Sequence, residues 1–310
     1  MSTHSDSDGT TGPTQVTPSL LRDWPLPAPG EDKYSRGAVL IIGGARTTPG
    51  ATVLAGIAAL RAGAGKMTLA VAESVAVQVG VAFPECGAVG LPETAGGSLT
   101  GEGLDLISTY LERANAVLVG PGLDDPDLAA ELLTRLLERE ELRGGPERPE
   151  GPAIVIDAYA LAGLMKLKDR LEPWKGRLIL TPNPTEAAIL LGRDANHLET
   201  DVAALSEQYG AVVSCQGVIA RPPGEAPEEP ELWKITTGYG GLGTSGSGDV
   251  LAGAITGLRA RGTSGAQAAC WGTHLHAAAA DRLASKLGPL GFLARELADE
   301  LPALMLELNT

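Results

Sequence analysis

The sequence predicts an α/β protein with a central, mostly parallel sheet flanked by helices on both faces. Three observations carry this expectation. From Tyr34 onward, short β-branched runs alternate with longer Ala/Leu-rich runs, the pattern of strands joined by crossover helices. Several of the short runs are apolar at every position, as strands covered on both faces require. The chain has 310 residues, 44% hydrophobic and 20% charged, which is enough apolar side chain to bury a full core.

Taken in order, the N-terminal stretch Met1–Gly30 is polar, with neither a basic n-region nor an apolar h-region, and reads as a flexible tail without an export signal. Strands are expected at Val39–Ile42, Met67–Val71, Ala116–Val119, Ala153–Ile156, Arg177–Leu180 and Ala211–Ser214. Helical spacing of apolar residues predicts helices at Thr52–Ala62, Leu128–Arg139, Ala158–Leu167, Leu198–Tyr209 and Val250–Arg261. Two segments rich in Pro, Gly and Glu, Glu138–Gly151 and Arg221–Glu231, interrupt this rhythm and read as surface loops. The alternation resumes after each of them, so residues 31–310 are expected to form one domain.

Composition excludes some functions outright. A formal net charge of −14 rules out nucleic-acid binding through a general basic surface. Aromatic residues are only 4% of the chain, which disfavours a base-stacking platform. No run approaches the ~18 apolar residues of a membrane span. Cys86, Cys215 and Cys270 lie far apart in no metal-ligand spacing, and their odd number fits a reducing cytoplasm better than a disulfide framework.

The most informative segment is Gly240–Gly257, GGLGTSGSGDVLAGAITG, where small residues run directly into an apolar helix. Gly246, Ser247 and Gly248 can turn backbone amides and the helix's positive end toward one anion, a contact worth ~0.3–1 kcal/mol per charge at an exposed site. Gly241, Gly243 and Gly246 also satisfy GxGxxG. The ribose-binding acid expected ~20 residues later is absent, however, as is the Lys of a Walker A loop. Asp249 beside an anion site is suited to act as a base toward an acceptor hydroxyl, an effect of ~10²–10⁴ in rate. Helix capping is its alternative role.

Further candidates sit at strand ends. In Thr181-Pro-Asn-Pro-Thr-Glu186, Asn183 and Glu186 can both face a ligand crevice, and Glu186 is a candidate indirect ligand for phosphate-bound Mg²⁺. A first-turn Glu also favours the helix dipole. Gly43-Gly44, Gly120-Pro121-Gly122 and Asp157 follow three other strands. The glycines serve either a turn or close approach to a ligand, and Asp157 either a ligand or a helix cap. His274 and His276, two apart on a helix, diverge and cannot share a metal, so they read as structural or surface. Cys215 reads as inert core.

These motifs together resemble the ADP- or ATP-dependent NAD(P)H-hydrate dehydratases of the ribokinase-like superfamily. The resemblance runs from about Tyr34 to the C-terminus. It rests on GGARTTPGATVLAGIAALRAGAGKMTLA from Gly43, VLVGPGL from Val117, VIDAYAL from Val155, LTPNPTEAAILLG from Leu180 and GTSGSGDVLAGAITGLRARG from Gly243. It implies a ribokinase-like fold and a repair reaction in which ADP or ATP phosphorylates the hydroxyl of hydrated NADH or NADPH and phosphate then leaves. It implies Asp249 as base and Gly246–Gly248 as the hole for the transferred group. Substrate would lie along Gly43, Gly44, Ala51, Gly122, Asp157 and Asn183, with Gln216 and Gly217 near the nucleotide phosphates. Small-molecule partners follow, without nucleic acid or membrane, and the surplus of Gly and Ala would suit a homo-oligomer.

The chain departs from that family's pattern at three positions. Asn183 stands where a histidine is common, Tyr159 replaces a second acid, and Gln216 replaces a lysine, which implies weaker nucleotide binding. Asn183 and Glu186 also recreate the NxxE pattern of sugar and vitamin kinases, so a small-molecule kinase is the alternative enzyme. A nucleotide sensor without catalysis is the third reading.

Overall fold

The predicted alternation folds into one ten-stranded sheet in the order β1-β10-β9-β8-β7-β6-β5-β2-β3-β4. The computed structural model describes residues 12–28, 30–143, 151–224, 231–238 and 240–308. The strands are β1 Thr14–Val16, β2 Ala38–Ile42, β3 Lys66–Ala72, β4 Gly87–Leu91, β5 Ala116–Val119, β6 Ala153–Ile156, β7 Leu178–Leu180, β8 Val212–Cys215, β9 Val218–Ala220 and β10 Leu232–Ile235. Only β9 runs against its neighbours. The helices are α1 Pro18–Asp23, α2 Gly50–Arg61, α3 Ala76–Ala82, α4 Ser108–Arg113, α5 Pro126–Glu138, α6 Tyr159–Leu164, α7 Pro184–Leu191, α8 Leu198–Tyr209, α9 Ser247–Ala260, α10 Gly265–Leu287 and α11 Ala294–Glu307.

Continuous apolar strands have the consequence foreseen for them. Val39, Ile41, Ala116, Leu118, Ala153 and Val155 face one core with α2, α9, α10 and α11, whereas Leu40, Ile42, Val117, Val119, Ile154 and Ile156 face a second core with α5, α6 and α8. Because side chains alternate faces along a strand, a strand buried on both sides has no polar position left.

Several expectations need correction. The N-terminal stretch does not behave as a flexible tail from residue 14 onward. β1 pairs in parallel with β10, Val16 and Leu21 are fully buried, and Trp24 stacks on Trp233 with ring centroids 6.2 Å apart. The carbonyl of Trp24 accepts from Gln267 Nε2 at 3.0 Å and from Trp271 Nε1 at 2.9 Å. A three-residue strand gives no periodicity to detect, and its partner lies more than 200 residues away. β4, β9 and β10 also went unforeseen, since β4 contains two glycines and the other two are short. The helix expected at Ala158–Leu167 is α-helical only to Leu164 and continues as a 3₁₀ stretch, Met165–Arg170. Of the two expected loops, residues 144–150 and 225–230 lie outside the described residues.

Two features position a site. The chain winds from β2 outward through β3 and β4, then returns to place β5, β6, β7 and β8 on the other side of β2. The order reverses between β2 and β5, and a crevice opens at the carboxyl ends of strands at such a point. In addition, α2 and α9 pack side by side and run parallel. An added Cβ on Gly253 would lie 2.1 Å from the Ala55 carbonyl oxygen, and one on Gly257 would lie 2.3 Å from that of Ala59. Two parallel helices packed backbone to backbone bring both N-termini to the same end of the sheet.

Candidate active site

Five neighbouring parallel strands, β2, β5, β6, β7 and β8, end on one crest, and every candidate motif lies there. Gly43 and Gly44 follow β2, Gly120–Gly122 follow β5, Asp157 follows β6, Thr181–Glu186 follow β7 and Gln216-Gly217 follow β8. Ala51 lies in the first turn of α2, and Ser247, Gly248 and Asp249 form the first turn of α9. The structure therefore brings the candidates together. It also sorts their roles.

The loops after β2 and β5 are stitched to each other. Gly44 N donates to Pro121 O at 2.8 Å, Ala45 N donates to Gly122 O at 2.8 Å, and Thr48 Oγ1 donates to Gly122 O at 2.8 Å. A Cβ on Gly43 would lie 2.1 Å from Pro121 O, so the protein backbone itself demands that glycine. Gly248 differs, because an added Cβ there meets nothing within 4 Å. That opening lies above the first turn of α9, where backbone amides point outward.

The turn into α9 is made by Gly246 at φ 88°, which is the N-cap and uses no side chain. Asp249 is therefore not the cap but a first-turn residue. It is half-buried, and that desolvation brings its carboxyl up to about 6. Asp157 lies nearby and is almost wholly buried. Burial is the main reason its carboxyl rises to about 7, and the negative charges of Asp249 and Glu186 push the same way. The Thr181 hydroxyl, 2.7 Å away, donates to Asp157 Oδ1 and opposes the rise. Nor does Asp157 cap the next helix, whose N-cap is Ala158 without a side-chain bond. Ala158 itself holds φ 49°, a strained conformation for a residue with a Cβ.

Asn183 and Glu186 form a capping box at the start of α7. Asn183 Oδ1 accepts from Glu186 N at 3.0 Å, and Glu186 Oε2 accepts from Asn183 N at 2.8 Å. Burial raises the Glu186 carboxyl above its ordinary range. Among the described residues, no cluster of three His, Cys, Asp or Glu side chains is placed to cage a metal ion. The carboxylates of Asp157, Glu186 and Asp249 offer oxygen donors, the type that Mg²⁺ prefers.

Gln216 and Gly217, at φ 45° and 81°, are the two central residues of the tight β8–β9 hairpin, with Gln216 exposed at the crest. Tyr159, at 51% exposure, opens α6 beside Asp157. Cys215 is buried, and its thiol is pushed up to about 12, which removes it as a nucleophile. All three cysteines are free.

Two contributors escape sequence reasoning. Thr181, beside the Pro-Asn-Pro turn, orients the Asp157 carboxyl. His276 is buried, and its Nε2 lies 2.9 Å from Ser247 O and 3.0 Å from Ser247 Oγ. His274 and His276 are both buried, so the surface reading is excluded for each. A cavity of about 410 Å³, lined by Arg177, Val212, Arg259 and Ser264 among others, opens at the opposite end of β7 and β8 and contains none of the crest residues. The crest combines two helix N-termini with a carboxyl of raised proton affinity. That chemistry suits an anionic, phosphoryl-bearing ligand beside a hydroxyl that must lose a proton.

Comparison with known proteins gives the chain its relatives. A family model described as NAD(P)H-hydrate dehydratase matches residues 39–303. An ADP-dependent (S)-NAD(P)H-hydrate dehydratase of Xanthomonas campestris is 40% identical over 305 residues, which is 95% of this chain and 98% of that protein. A ribokinase-like superfamily protein of Enterococcus faecalis superposes with a TM-score of 0.77 at 21% identity, covering 98% of this chain and 99% of that one. An ADP/ATP-dependent NAD(P)H-hydrate dehydratase of Bacillus subtilis, co-crystallised with ATP/Mg²⁺, superposes with a TM-score of 0.73 at 24% identity, covering 96% and 100%.

Proposed function

The chain belongs to the NAD(P)H-hydrate dehydratase family, and from that premise we propose that it returns hydrated NADH or NADPH to the reduced cofactor at the expense of ADP or ATP. The observation that supports this most directly is Asp249, a carboxyl with proton affinity raised to about 6, set in the first turn of α9 beside outward-facing amides. Asp249 takes the proton from the hydrate hydroxyl as that oxygen attacks the terminal phosphoryl group. The new O–P bond forms as the bond to the nucleotide breaks, leaving AMP from ADP or ADP from ATP. Loss of phosphate with its oxygen, together with a proton from the adjoining carbon, then restores the ring's double bond. The amide of Gly248 receives the migrating group, Ser247 N being given to Thr244 O at 3.2 Å, and the positive ends of α9 and α2 balance its charge.

Hydrated dinucleotide lies along the stitched loops at Gly43, Gly44, Ala51 and Gly122, with Asp157 and Asn183 completing its side of the crest. Gln216 and Gly217 flank the nucleotide phosphates, Gln216 with neutral donors in place of a cation. A Mg²⁺ ion brought by the nucleotide would be held through water by Glu186, whose cap bond engages Oε2, and would neutralise phosphate charge. One domain running from Thr14 to the C-terminal helix carries the whole site. Its three free cysteines support a reducing cytoplasm as its compartment.

The kinase alternative rests on the Asn183–Glu186 spacing and on Gln216, and the capping box accounts for the spacing by itself. The deciding experiment is to incubate the protein with hydrated NADH or NADPH, Mg²⁺ and either ADP or ATP. Reduced-nicotinamide absorbance should recover with stoichiometric release of phosphate. Nucleotide turnover that leaves a stable phosphorylated product would instead select the kinase, and no turnover with either nucleotide would leave the sensor.

A further inference from the structure

Building on that reading of the anion corner, we propose that α10 is the template on which the corner is shaped, with His276 and Asp281 as positioning residues for the glycine-rich segment 238–248. Glycines lose more backbone freedom on ordering than any other residue, so a segment carrying Gly238, Gly240, Gly241, Gly243, Gly246 and Gly248 needs external pins. The two ends of the segment are both pinned to α10. At one end Gly238 N donates to Asp281 Oδ2 at 2.8 Å. At the other end, His276 Nε2 lies within hydrogen-bond distance of both the carbonyl oxygen and the hydroxyl of Ser247, the first residue of α9.

His276 and Asp281 are five residues apart on a 23-residue helix, a rise of ~7.5 Å, so one rigid element spans the segment. The middle is held by packing. Gly241 lies against the Phe292 ring and Gly246 against Leu54 and Ala294, each too close to admit a Cβ without displacement. Burial holds the His276 imidazole neutral, at about 4, so Nε2–H can donate to the Ser247 carbonyl without placing a buried charge beside the anion corner. A core histidine with no functional role would fill space equally well from any direction. This one bonds to the residue two before Asp249, so it sets where the amides and the carboxyl point.

The test uses the full chain and the variants His276→Leu, His276→Gln, Asp281→Ala and Asp281→Asn. Gln keeps an N–H donor near the Nε2 position, and Asn keeps an acceptor near Oδ2. Three quantities are compared: nucleotide KM, hydrate KM, and the amide hydrogen exchange of residues 238–250 with and without ADP. His276→Leu and Asp281→Ala should each raise nucleotide KM about tenfold, the loss of one well-made hydrogen bond. They should also speed exchange in 238–250 and leave hydrate KM unchanged, whereas Gln and Asn should recover most of both effects. The proposal is overturned if the folded Leu and Ala variants match the wild type in nucleotide KM and exchange. It is equally overturned if Gln and Asn do no better than Leu and Ala. Should His276→Leu fail to fold, the Asp281 pair and His276→Gln decide by the same criteria. If the wild type shows no hydrate turnover, the functional reading fails on its own, while exchange with and without ADP still decides the template.

Discussion

Asp249 and Asp157 show at the scale of single residues how one environment serves chemistry at the expense of stability. A base must be deprotonated to work, so with Asp249 raised to about 6, turnover should fall as pH drops through 6. Asp249→Asn should reduce kcat by ~10²–10⁴ without lowering Tm, and should raise Tm above pH 6 because it removes a charge that burial disfavours, which steady-state kinetics and a melting curve would establish. For Asp157 the folded value, about 7, lies above the ordinary 3.8. Its proton is therefore held more tightly in the folded state. The associated stability is fully present below about pH 4 and lost as pH rises through 7, up to ~4 kcal/mol. Asp157→Asn should accordingly raise Tm at pH 8 and make no difference at pH 4. A wild-type advantage at pH 8 would mean that the carboxylate is better compensated than burial beside Asp249 and Glu186 implies. The sequence reveals Asp157 and Asp249 only as candidates, because proton affinity depends on burial and, for Asp157, on the charges of Asp249 and Glu186, which are remote from it in sequence.

At the scale of elements, α9 links the chemistry to the core. In the motif that begins at Gly243, the sequence assigns Gly246 and Gly248 to an anion site and gives Gly253 and Gly257 no role. Gly246 does make the turn, but Gly253 and Gly257 let α9 and α2 meet backbone to backbone. Gly253→Ala and Gly257→Ala should each destabilise the fold by ~1–3 kcal/mol, read as a lower denaturant midpoint, because the facing carbonyls leave no room for a methyl. Activity should fall with them, since α9 carries Asp249 at its start. Unchanged midpoints would show that the helices can separate without cost. The start of α7 was legible in sequence as a helix N-terminus, yet the same four residues also matched a metal-ligand reading. Only the reciprocal bonds between Asn183 and Glu186 show that the cap is made. His276 was legible as a structural residue, but its partner at the head of α9 was not, because that contact is set by how α10 packs.

Across the whole molecule, the N-terminal segment is part of the sheet. Removing residues 1–24 would strip β1 from β10, expose the Trp233 ring, and leave the indole of Trp271 without the Trp24 carbonyl. The truncated protein should melt several degrees lower, measurable by calorimetry, and an unchanged Tm would mean that β1 adds nothing to the sheet. The crest itself follows from winding order, since reversal between β2 and β5 gathers loops from five strands. What the sequence determined by itself was local or periodic: strands apolar on both faces, helices with apolar stripes, glycines at a helix start and acids at strand ends, all set by residue spacing along the chain. The tertiary structure alone decided which glycines face backbone and which face open space, which carboxyls share a field, and that an N-terminal strand completes the sheet. Those outcomes depend on distances between residues remote in sequence, and no short window of the chain contains them.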